Sequence, residues 1–198
     1  MRIGIIGGTF NPPHMGHINA ARAARKELSL SSLIFIPSAV PPHKQMAEAS
    51  ATPEQRLFMT RLAAEELGAE VSDMEIARGG TSYTVDTLRE LREKNPTDEL
   101  WFIMGTDMFL TIEKWREPEE IMRLARLAVA PRNDADRDSL VSHAEHLKAK
   151  YGAESFVMKT AALEISSTEI RNAINNKTSS EYLPKSVYEY IKQNDLYI

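Results

Sequence analysis

Two histidines stand three residues apart, directly after a turn that is rich in glycine and proline. The segment Gly7–His17 reads GGTFNPPHMGH, follows the apolar run Ile3–Ile6 and precedes an alanine-rich stretch. This order predicts a strand, a tight turn and a helix start, and the paired glycines let a ligand approach the backbone closely. His14 and His17 then share one face of the helix. Because the first N–H groups of a helix attract anions, the pattern predicts that these imidazoles bind a phosphate and stabilise it as it reacts.

The same histidine spacing occurs a second time in the chain, without the turn. His143 and His146 lie in the middle of a predicted helix, so we interpret them as part of a solvated helix face. For His14 and His17 a zinc site is the alternative, since imidazoles bind zinc. Zinc sites use at least three protein ligands, however, and no third ligand is evident nearby in the sequence.

A second candidate for anion binding is the sequence ISSTEIR near the C-terminus. Ser166 and Glu169 have the spacing of a capping box, which by itself predicts only the start of a helix. Ser167 and Thr168 add hydroxyl groups to that helix N-terminus, and Arg171 adds a cation one turn later. Together these residues predict another cradle for phosphate groups.

Five further residues each have a structural and a functional interpretation. His43 and Lys44 lie in a proline-rich loop, where a solvated charge is the usual role. Asp107 is either a helix cap or an acceptor for ribose hydroxyls or adenine. Trp115 is either part of the core or a flat surface for an aromatic ring. Arg132 either lies on the surface or binds phosphate.

Predicted strands and helices alternate along the chain. Strands are expected at residues 2–7, 33–37, 70–77, 100–104, 127–130 and 156–159, and helices at residues 15–28, 53–67, from 83 or 84 onward, 119–125, 139–151, 166–175 and 185–194. This alternation predicts an α/β fold with a doubly wound, mostly parallel sheet and helices on both faces. Because the sequence shows no repeat and no linker, we expect one domain over residues 1–198.

Ligands of such sheets bind beyond the carboxyl ends of the strands. Four segments with chemistry-bearing residues follow predicted strands, and we therefore expect them at one edge of the sheet: Gly7–His17, Ser38–Lys44, Gly79–Thr84 and Gly105–Asp107.

Composition and the glycine pattern argue against several classes of protein. The net charge of −4 gives no sign of nucleic-acid binding, and the absence of cysteine excludes disulfides and a cysteine nucleophile. No apolar run approaches the roughly 18 residues that cross a membrane, and the start MRIGIIGG lacks the features of a signal peptide, so we expect a cytoplasmic location. Gly4, Gly7 and Gly8 do not form the G-x-G-x-x-G pattern, and neither GKS nor GKT occurs, which weakens dehydrogenase and P-loop interpretations.

The motifs resemble those of a known enzyme family. His14-Met15-Gly16-His17 and ISSTEIR resemble the paired signatures of the nucleotidyltransferase superfamily with an H/T-x-G-H motif. More closely, GGTFNPPHMGH, PPHK at 41–44, SYT at 82–84, GTD at 105–107 and Trp115 resemble bacterial nicotinate-nucleotide adenylyltransferases. The resemblance runs from Ile3 to the C-terminal YIKQNDLY and implies a Rossmann-like fold of the nucleotidyltransferase type.

This resemblance implies a reaction and its partners. Nicotinate mononucleotide and ATP, with Mg²⁺, would give nicotinate adenine dinucleotide and pyrophosphate, a step of NAD biosynthesis. The substrate phosphate would attack the α-phosphorus of ATP directly, without an enzyme-bound intermediate. Because a phosphate monoester is already a nucleophile, positioning and charge neutralisation can supply most of the catalysis. A homo-oligomer stays open, and neither nucleic acid nor a membrane is expected as a partner.

The resemblance also assigns roles to individual residues. The catalytic residues would be His14, His17 and Arg171. The ATP-binding residues would be these three together with Gly7, Gly8, Thr9, Phe10, Gly105, Asp107, Ser166, Ser167 and Thr168. The mononucleotide would contact Thr9, Lys44, Thr84 and Trp115, the last two holding the nicotinate carboxylate and stacking on the pyridine ring. His43, Tyr83, Arg116 and Arg132 are further candidates.

The sequence departs from the family at three positions. Asn11 stands where many relatives have Asp, and either residue can pin the turn, so little effect is expected. Thr106 stands where Ala or Gly is common. Arg116 follows Trp115 where Tyr or His is frequent; a cation there either favours the acid over nicotinamide mononucleotide or points into solvent.

Three other functions stay open from the sequence. The first is phosphopantetheine adenylyltransferase, which shares both signatures but lacks the SYT and Trp features. The second is a nucleotide-binding protein without activity, which the intact His14, His17 and Arg171 argue against. The third is a nicotinamide-dependent dehydrogenase, which the missing glycine fingerprint argues against.

Overall fold

A single six-stranded sheet organises the chain. The structure is a computed structural model that describes residues 1–42, 50–163, 165–175 and 180–197. Within these residues the strands are β1 (Arg2–Gly8), β2 (Ser32–Pro37), β3 (Glu70–Val71), β4 (Glu99–Gly105), β5 (Arg126–Ala130) and β6 (Ser155–Val157). Their order in the sheet is β3-β2-β1-β4-β5-β6. The predicted α/β fold with a parallel sheet is confirmed.

The described residues also form nine α-helices between and after the strands. They are α1 (Met15–Glu27), α2 (Pro53–Glu65), α3 (Met74–Arg78), α4 (Thr84–Lys94), α5 (Thr106–Leu110), α6 (Pro118–Leu124), α7 (Arg137–Tyr151), α8 (Ser167–Asn175) and α9 (Lys185–Gln193). The start of α2 has a capping box, because the Gln55 amide donates to Thr52 Oγ1 at 3.2 Å and the Thr52 amide donates to Gln55 Oε1 at 2.9 Å. Local signals of this kind explain why most predicted helix boundaries hold within about two residues.

Parallel register brings two glycine-containing strand ends together. Ile5 of β1 lies opposite Phe102 of β4, and Gly105 at the end of β4 lies opposite Ala130 of β5. Parallel strands end at the same edge of a sheet, so Gly7, the last but one residue of β1, and Gly105, the last of β4, lie at that edge. The buried apolar residues of β1, β4 and β5 fit strands that are covered on both faces.

The third strand is shorter than predicted. The expected strand over 70–77 ends at Val71, and residues 74–78 form α3 instead. The Ser72 amide still donates to the Phe35 carbonyl at 2.9 Å, while the Ser72 hydroxyl accepts from the Met74 amide at 3.3 Å. This side-chain bond lies where the backbone leaves the strand and begins α3. The apolar periodicity of so short a segment does not reveal such a bond.

The chain divides into two compact units. The first comprises Met1–Gly7, Ala20–Ile34 and Tyr83–Ala162, and the second comprises Gly8–Asn19, Phe35–Ser82 and Leu163–Ile198. Strands β4 to β6 with α4 to α7 belong to the first unit, and α2, α3, α8 and α9 to the second. In the part of the chain that the structure describes, no helix combines the length and apolar character needed to cross a membrane.

Candidate active site

The two histidines of the turn after β1 lie against each other, and Nδ1 of each ring accepts a hydrogen bond from a backbone amide. The His14 amide donates to Nδ1 of His17 at 3.2 Å, and the Gly16 amide donates to Nδ1 of His14 at 3.2 Å. The ring centroids are 3.7 Å apart. Because each Nδ1 accepts a hydrogen bond, the proton of each neutral imidazole lies on Nε2. In each neutral ring Nε2 is therefore the N–H donor, and the tautomer is fixed by the backbone.

His14 is an uncharged donor at neutral pH. Its side chain is buried, with 6% of the residue exposed. Burial lowers the pKa of His14 from the usual 6.5 to about 4, although the nearby Glu169 carboxylate acts in the opposite direction. A neutral imidazole donates a hydrogen bond to a phosphate oxygen without the cost of keeping a buried charge.

This shifted pKa predicts a loss of stability in mild acid. As pH falls from 6.5 to 4, the unfolded chain protonates His14 while the folded chain does not, so folding is disfavoured. Above pH 6.5 His14 is neutral in both the folded and the unfolded chain, so the unfolding free energy has its full value there. Over that window we expect the wild type to lose about 3 kcal/mol of unfolding free energy more than His14→Gln, because one pKa unit corresponds to about 1.4 kcal/mol. Urea unfolding at pH 7, 5.5 and 4.5 measures this, and parallel curves for the two proteins would refute it.

Small and buried residues around the histidines fix their positions. A Cβ on Gly16 would lie 2.9 Å from Nδ1 and Cε1 of His14, so only glycine leaves room for that ring. Phe10 is buried, has a left-handed φ of +48° and packs edge-on against His17 with centroids 4.9 Å apart. A Cβ on Gly8 would lie 3.2 Å from the Phe10 ring. Any ligand contact of Phe10 therefore involves its backbone.

The predicted second anion cradle lies against the same loop. Ser166 and Glu169 form the expected capping box, with the Glu169 amide donating to Ser166 Oγ at 3.2 Å and the Ser166 amide donating to Glu169 Oε2 at 2.7 Å. Ser167 Oγ donates to the Pro12 carbonyl at 3.1 Å. These bonds place the N-terminus of α8 beside the turn that carries His14.

Arg171 is oriented by two hydrogen bonds. Its Nη1 donates to the Asn11 carbonyl at 2.7 Å, and its Nη2 donates to Thr168 Oγ1 at 3.1 Å. Arg171 and Asn11 are 160 residues apart in the sequence. The structure thus joins the two motifs that the family resemblance pairs, and it adds a half-buried cation to the two histidine donors.

A buried arginine that the sequence analysis missed supports this loop. Arg56 of α2 is 1% exposed, and its Nη1 and Nη2 donate to the carbonyls of Thr9 at 2.7 Å and Ala39 at 2.9 Å. Burial lowers the pKa of Arg56. A signal existed in the sequence: Arg56 lies on the buried stripe of α2 that continues through Met59, Thr60, Ala63 and Ala64. An arginine at an inward-facing helix position indicates carbonyl partners that need a donor.

The aromatic candidate Trp115 lies beside the end of β1 in the first unit. Its half-buried ring packs edge-on against Phe102, with centroids 6.2 Å apart. Gly7 borders the Phe102 ring, because a Cβ on Gly7 would lie 3.4 Å from Phe102 Cε2. Trp115 is therefore only partly covered by its neighbours.

Arg116 lies on Tyr83 at the start of α4. Its Cζ is 4.6 Å from the Tyr83 ring centroid, and its Nη1 is 3.9 Å from Asp86 Oδ2. Thr84 is the first residue of α4, whose N-cap residue makes no side-chain capping bond. The structure therefore brings four mononucleotide candidates together: Tyr83, Thr84, Trp115 and Arg116.

Asp107 and Arg132 form an ion pair. Arg132 Nη2 donates to Asp107 Oδ2, and the Arg132 amide donates to Thr106 Oγ1 at 3.2 Å. The helix α5 has Gly105 rather than Asp107 as its N-cap, so the capping role considered for Asp107 is wrong. A Cβ on Gly105 would meet open space. The two charged candidates, which the sequence analysis treated separately, neutralise each other here.

The second histidine pair differs from its predicted role. His143 is half-buried with its ring edge-on to Phe109 at 5.1 Å, so a fully solvated face is wrong for this residue. His146 lies 3.2 Å from Glu113 Oε2. Hydrogen bonds from Lys150, then Tyr151 and His146, lower the pKa of Glu113 to about 2. The remaining candidates, His43 and Lys44, lie outside the described residues.

Comparison with known proteins gives one consistent result. The profile of the cytidylyltransferase-like family matches residues 5–173. A protein of Clostridium botulinum, described as a probable nicotinate-nucleotide adenylyltransferase, is 39% identical over 99% of this chain and 98% of its own length. A protein of Citrifermentans bemidjiense with the same description is 40% identical over 100% and 99%. The nicotinic acid mononucleotide adenylyltransferase of Plasmodium falciparum, solved in complex with NaAD, shares the fold with a TM-score of 0.77 at 18% identity, covering 99% of this chain and 97% of its own.

Proposed function

The chain belongs to the nicotinate-nucleotide adenylyltransferase family, within the cytidylyltransferase-like proteins, and we propose that it transfers AMP from ATP to nicotinate mononucleotide. The products are nicotinate adenine dinucleotide and pyrophosphate, which makes the reaction a step of NAD biosynthesis. The observation that carries the proposal is that three side chains meet at one loop: the imidazoles of His14 and His17 on the loop itself, and the Arg171 guanidinium of α8, which is bonded to the Asn11 carbonyl.

The proposed mechanism is direct displacement at phosphorus. A phosphate oxygen of the mononucleotide attacks the α-phosphorus of ATP, the bond to the β-phosphate oxygen breaks, and pyrophosphate leaves. The nucleophile needs no activation by serine or cysteine, so the residues act by positioning and by stabilising charge. His14 and His17 donate to phosphate oxygens that gain negative charge in the transition state. Arg171, with the hydroxyls of Ser167 and Thr168, binds the β- and γ-phosphates that leave.

Magnesium fits this proposal as a companion of ATP. In the described residues no three His, Cys, Asp or Glu side chains form a group that could hold a metal ion. The donors on the loop are N–H groups and a guanidinium, which bind anions. Mg²⁺ commonly reaches such sites bound to substrate phosphates, where it neutralises part of their charge.

The aromatic and helix-terminal residues of the first unit fit the mononucleotide. Trp115 offers a partly accessible ring for stacking on the pyridine ring. The first amides of α4, at Thr84, suit the nicotinate carboxylate, since a helix N-terminus favours an anion. Arg116 is held near that terminus by Tyr83 and Asp86, and its charge favours the acid over the amide.

A side-by-side substrate assay tests the proposal. Pyrophosphate release is measured with ATP and Mg²⁺ and with nicotinate mononucleotide, nicotinamide mononucleotide or phosphopantetheine. We expect fast release with the acid and slow release with the amide. Release with phosphopantetheine alone would keep the phosphate chemistry and overturn the substrate, and ATP binding without any release would favour a binding protein. A cytoplasmic location and a single domain stay predictions from the sequence, which leaves the oligomeric state open.

Removing the indole tests the stacking role separately. We expect Trp115→Ala to raise the KM for nicotinate mononucleotide about tenfold, because stacking on an aromatic side chain is worth about 1–3 kcal/mol. The KM for ATP should change much less. Trp101→Phe is the control, since Trp101 is a buried residue of β4. A larger change in the KM for ATP than in that for the mononucleotide would show that the Trp115 ring serves another purpose.

A further inference from the structure

Tyr197, the last residue that the structure describes, is buried and bonded to the histidine loop. Tyr197 is 5% exposed, and its hydroxyl donates to Asn11 Oδ1 at 2.8 Å across 186 residues of sequence. Its backbone φ is +67°, a left-handed conformation that is unfavourable for L-residues. Tyr197 therefore has an unfavourable backbone conformation, and its bond to Asn11 is a polar contact that stabilises it.

Asn11 connects this tyrosine to Arg171. The side chain of Asn11 accepts a second hydrogen bond from the Ala51 amide at 3.3 Å and donates to Ser50 Oγ at 3.0 Å. Its backbone carbonyl accepts from Arg171 Nη1 at 2.7 Å. The side chain thus sets the position of the carbonyl, and the carbonyl sets the position of the guanidinium. The bond from Tyr197 is the shortest of the three that fix the side chain.

We propose that Tyr197 is a positioning residue for the transfer reaction, which acts by fixing Asn11 and thereby the guanidinium of Arg171. This inference rests on the proposed function, in which Arg171 binds the leaving phosphates. Burial raises the pKa of Tyr197, so its hydroxyl keeps its proton and remains a donor over the whole working range of pH. Without this donor, the loop loses its hydrogen bond to Tyr197 although every residue that would contact a phosphate is still present.

Tyr197→Phe tests the inference because it removes only the hydroxyl. We expect about a tenfold lower kcat, the scale that corresponds to one lost hydrogen bond of about 1.4 kcal/mol. The KM for nicotinate mononucleotide should not change. Tyr188→Phe is the matched control: Tyr188 lies on α9 with Lys192 Nζ 4.7 Å from its ring, and the same substitution there should leave kcat within about twofold.

The pathway through Arg171 has its own test. In an Arg171→Ala background, Tyr197→Phe should cause no further loss of kcat, because the group that it positions is already absent. If Tyr197→Phe acted only by destabilising the protein, its loss of kcat would instead multiply with the loss caused by Arg171→Ala. An unchanged kcat in Tyr197→Phe, or two losses that multiply, would overturn the inference.

Amide hydrogen exchange separates this inference from the proposed reaction. We expect peptides that cover residues 9–17 to exchange about tenfold faster in Tyr197→Phe than in Tyr188→Phe, since local openings set exchange rates. A wild-type chain without adenylyl transfer would reject the proposed function, and the exchange comparison would still decide whether the hydroxyl orders the loop. Equal exchange in the two variants would show that it does not.

Discussion

Replacing His17 by alanine is expected to lower kcat by about two to three orders of magnitude, the loss typical of removing one preorganised donor to transition-state charge. The hydrogen bond from the His14 amide to Nδ1 fixes the proton of a neutral His17 ring on Nε2, and that N–H is the group that alanine removes. His17 is half-buried, so water can bond the His14 amide in the variant and the fold should persist. Steady-state pyrophosphate release measures kcat, and thermal unfolding verifies the fold.

Two amide substitutions separate the functions of the two ring nitrogens. His17→Asn keeps an acceptor near the position of Nδ1 but provides no donor near Nε2, so its kcat should fall as far as that of His17→Ala. His17→Gln reaches toward the position of Nε2 with an amide donor and should recover part of the activity. Recovery in the asparagine variant instead would show that His17 acts through the backbone bond to His14 and not through a ligand.

The second histidine pair supplies a matched control. His146 has the same H-x-x-H spacing relative to His143, but it lies on α7 and faces Glu113. His146→Ala should leave kcat within about twofold, because exposed ion pairs are worth little. Near-wild-type turnover in a well-folded His17→Ala variant would refute the catalytic role of that residue.

Local sequence signals predicted much of the fold and of the loop. The capping box predicted at Ser166 is confirmed, because it depends on residues only three apart. The strand–turn–helix around the histidines also follows from neighbouring residues. The strand predicted over 70–77 is wrong beyond Val71. The hydrogen bond from the Met74 amide to the Ser72 hydroxyl accompanies its early end, and the apolar pattern on which the prediction was based does not reveal that bond.

Long-range contacts account for what the sequence analysis missed. Arg56 bonds the Thr9 carbonyl from 47 residues away, and Tyr197 bonds Asn11 from 186 residues away. The sequence analysis gave neither residue a role, although Tyr197 ends the segment YIKQNDLY, and their partners are determined only by the fold. The side chain of Asn11 accepts hydrogen bonds from the Tyr197 hydroxyl and the Ala51 amide, contacts that its place in the turn does not reveal. The assigned roles of the site residues, including Lys44 outside the described residues, stay predictions until ligand binding is measured.

Gly16 is the residue whose replacement should separate activity from stability most clearly. We expect Gly16→Ala to lower kcat about 10- to 100-fold, because a displacement near 1 Å of a catalytic group can cost about 100-fold. The new Cβ would lie 2.9 Å from the imidazole of His14, a distance that real contacts avoid. That ring is buried, so it must shift and lose the bond from the Gly16 amide. Alanine also favours a helix by about 1 kcal/mol over glycine, so α1 should not lose stability in proportion to the loss of activity.

A double substitution shows whether the effect passes through His14. In a His14→Ala background the imidazole is absent, so Gly16→Ala should cost no further activity and should raise the unfolding free energy by up to about 1 kcal/mol from helix propensity. Kinetics and urea unfolding of the four proteins complete the cycle. If the two losses of kcat multiply, Gly16 must act on something other than the ring, and the next group in contact is Ile165, whose Cγ2 would lie 3.4 Å from the added carbon. The absence of a side chain at position 16 would then serve the approach of α8 to the loop, rather than the orientation of the buried histidine.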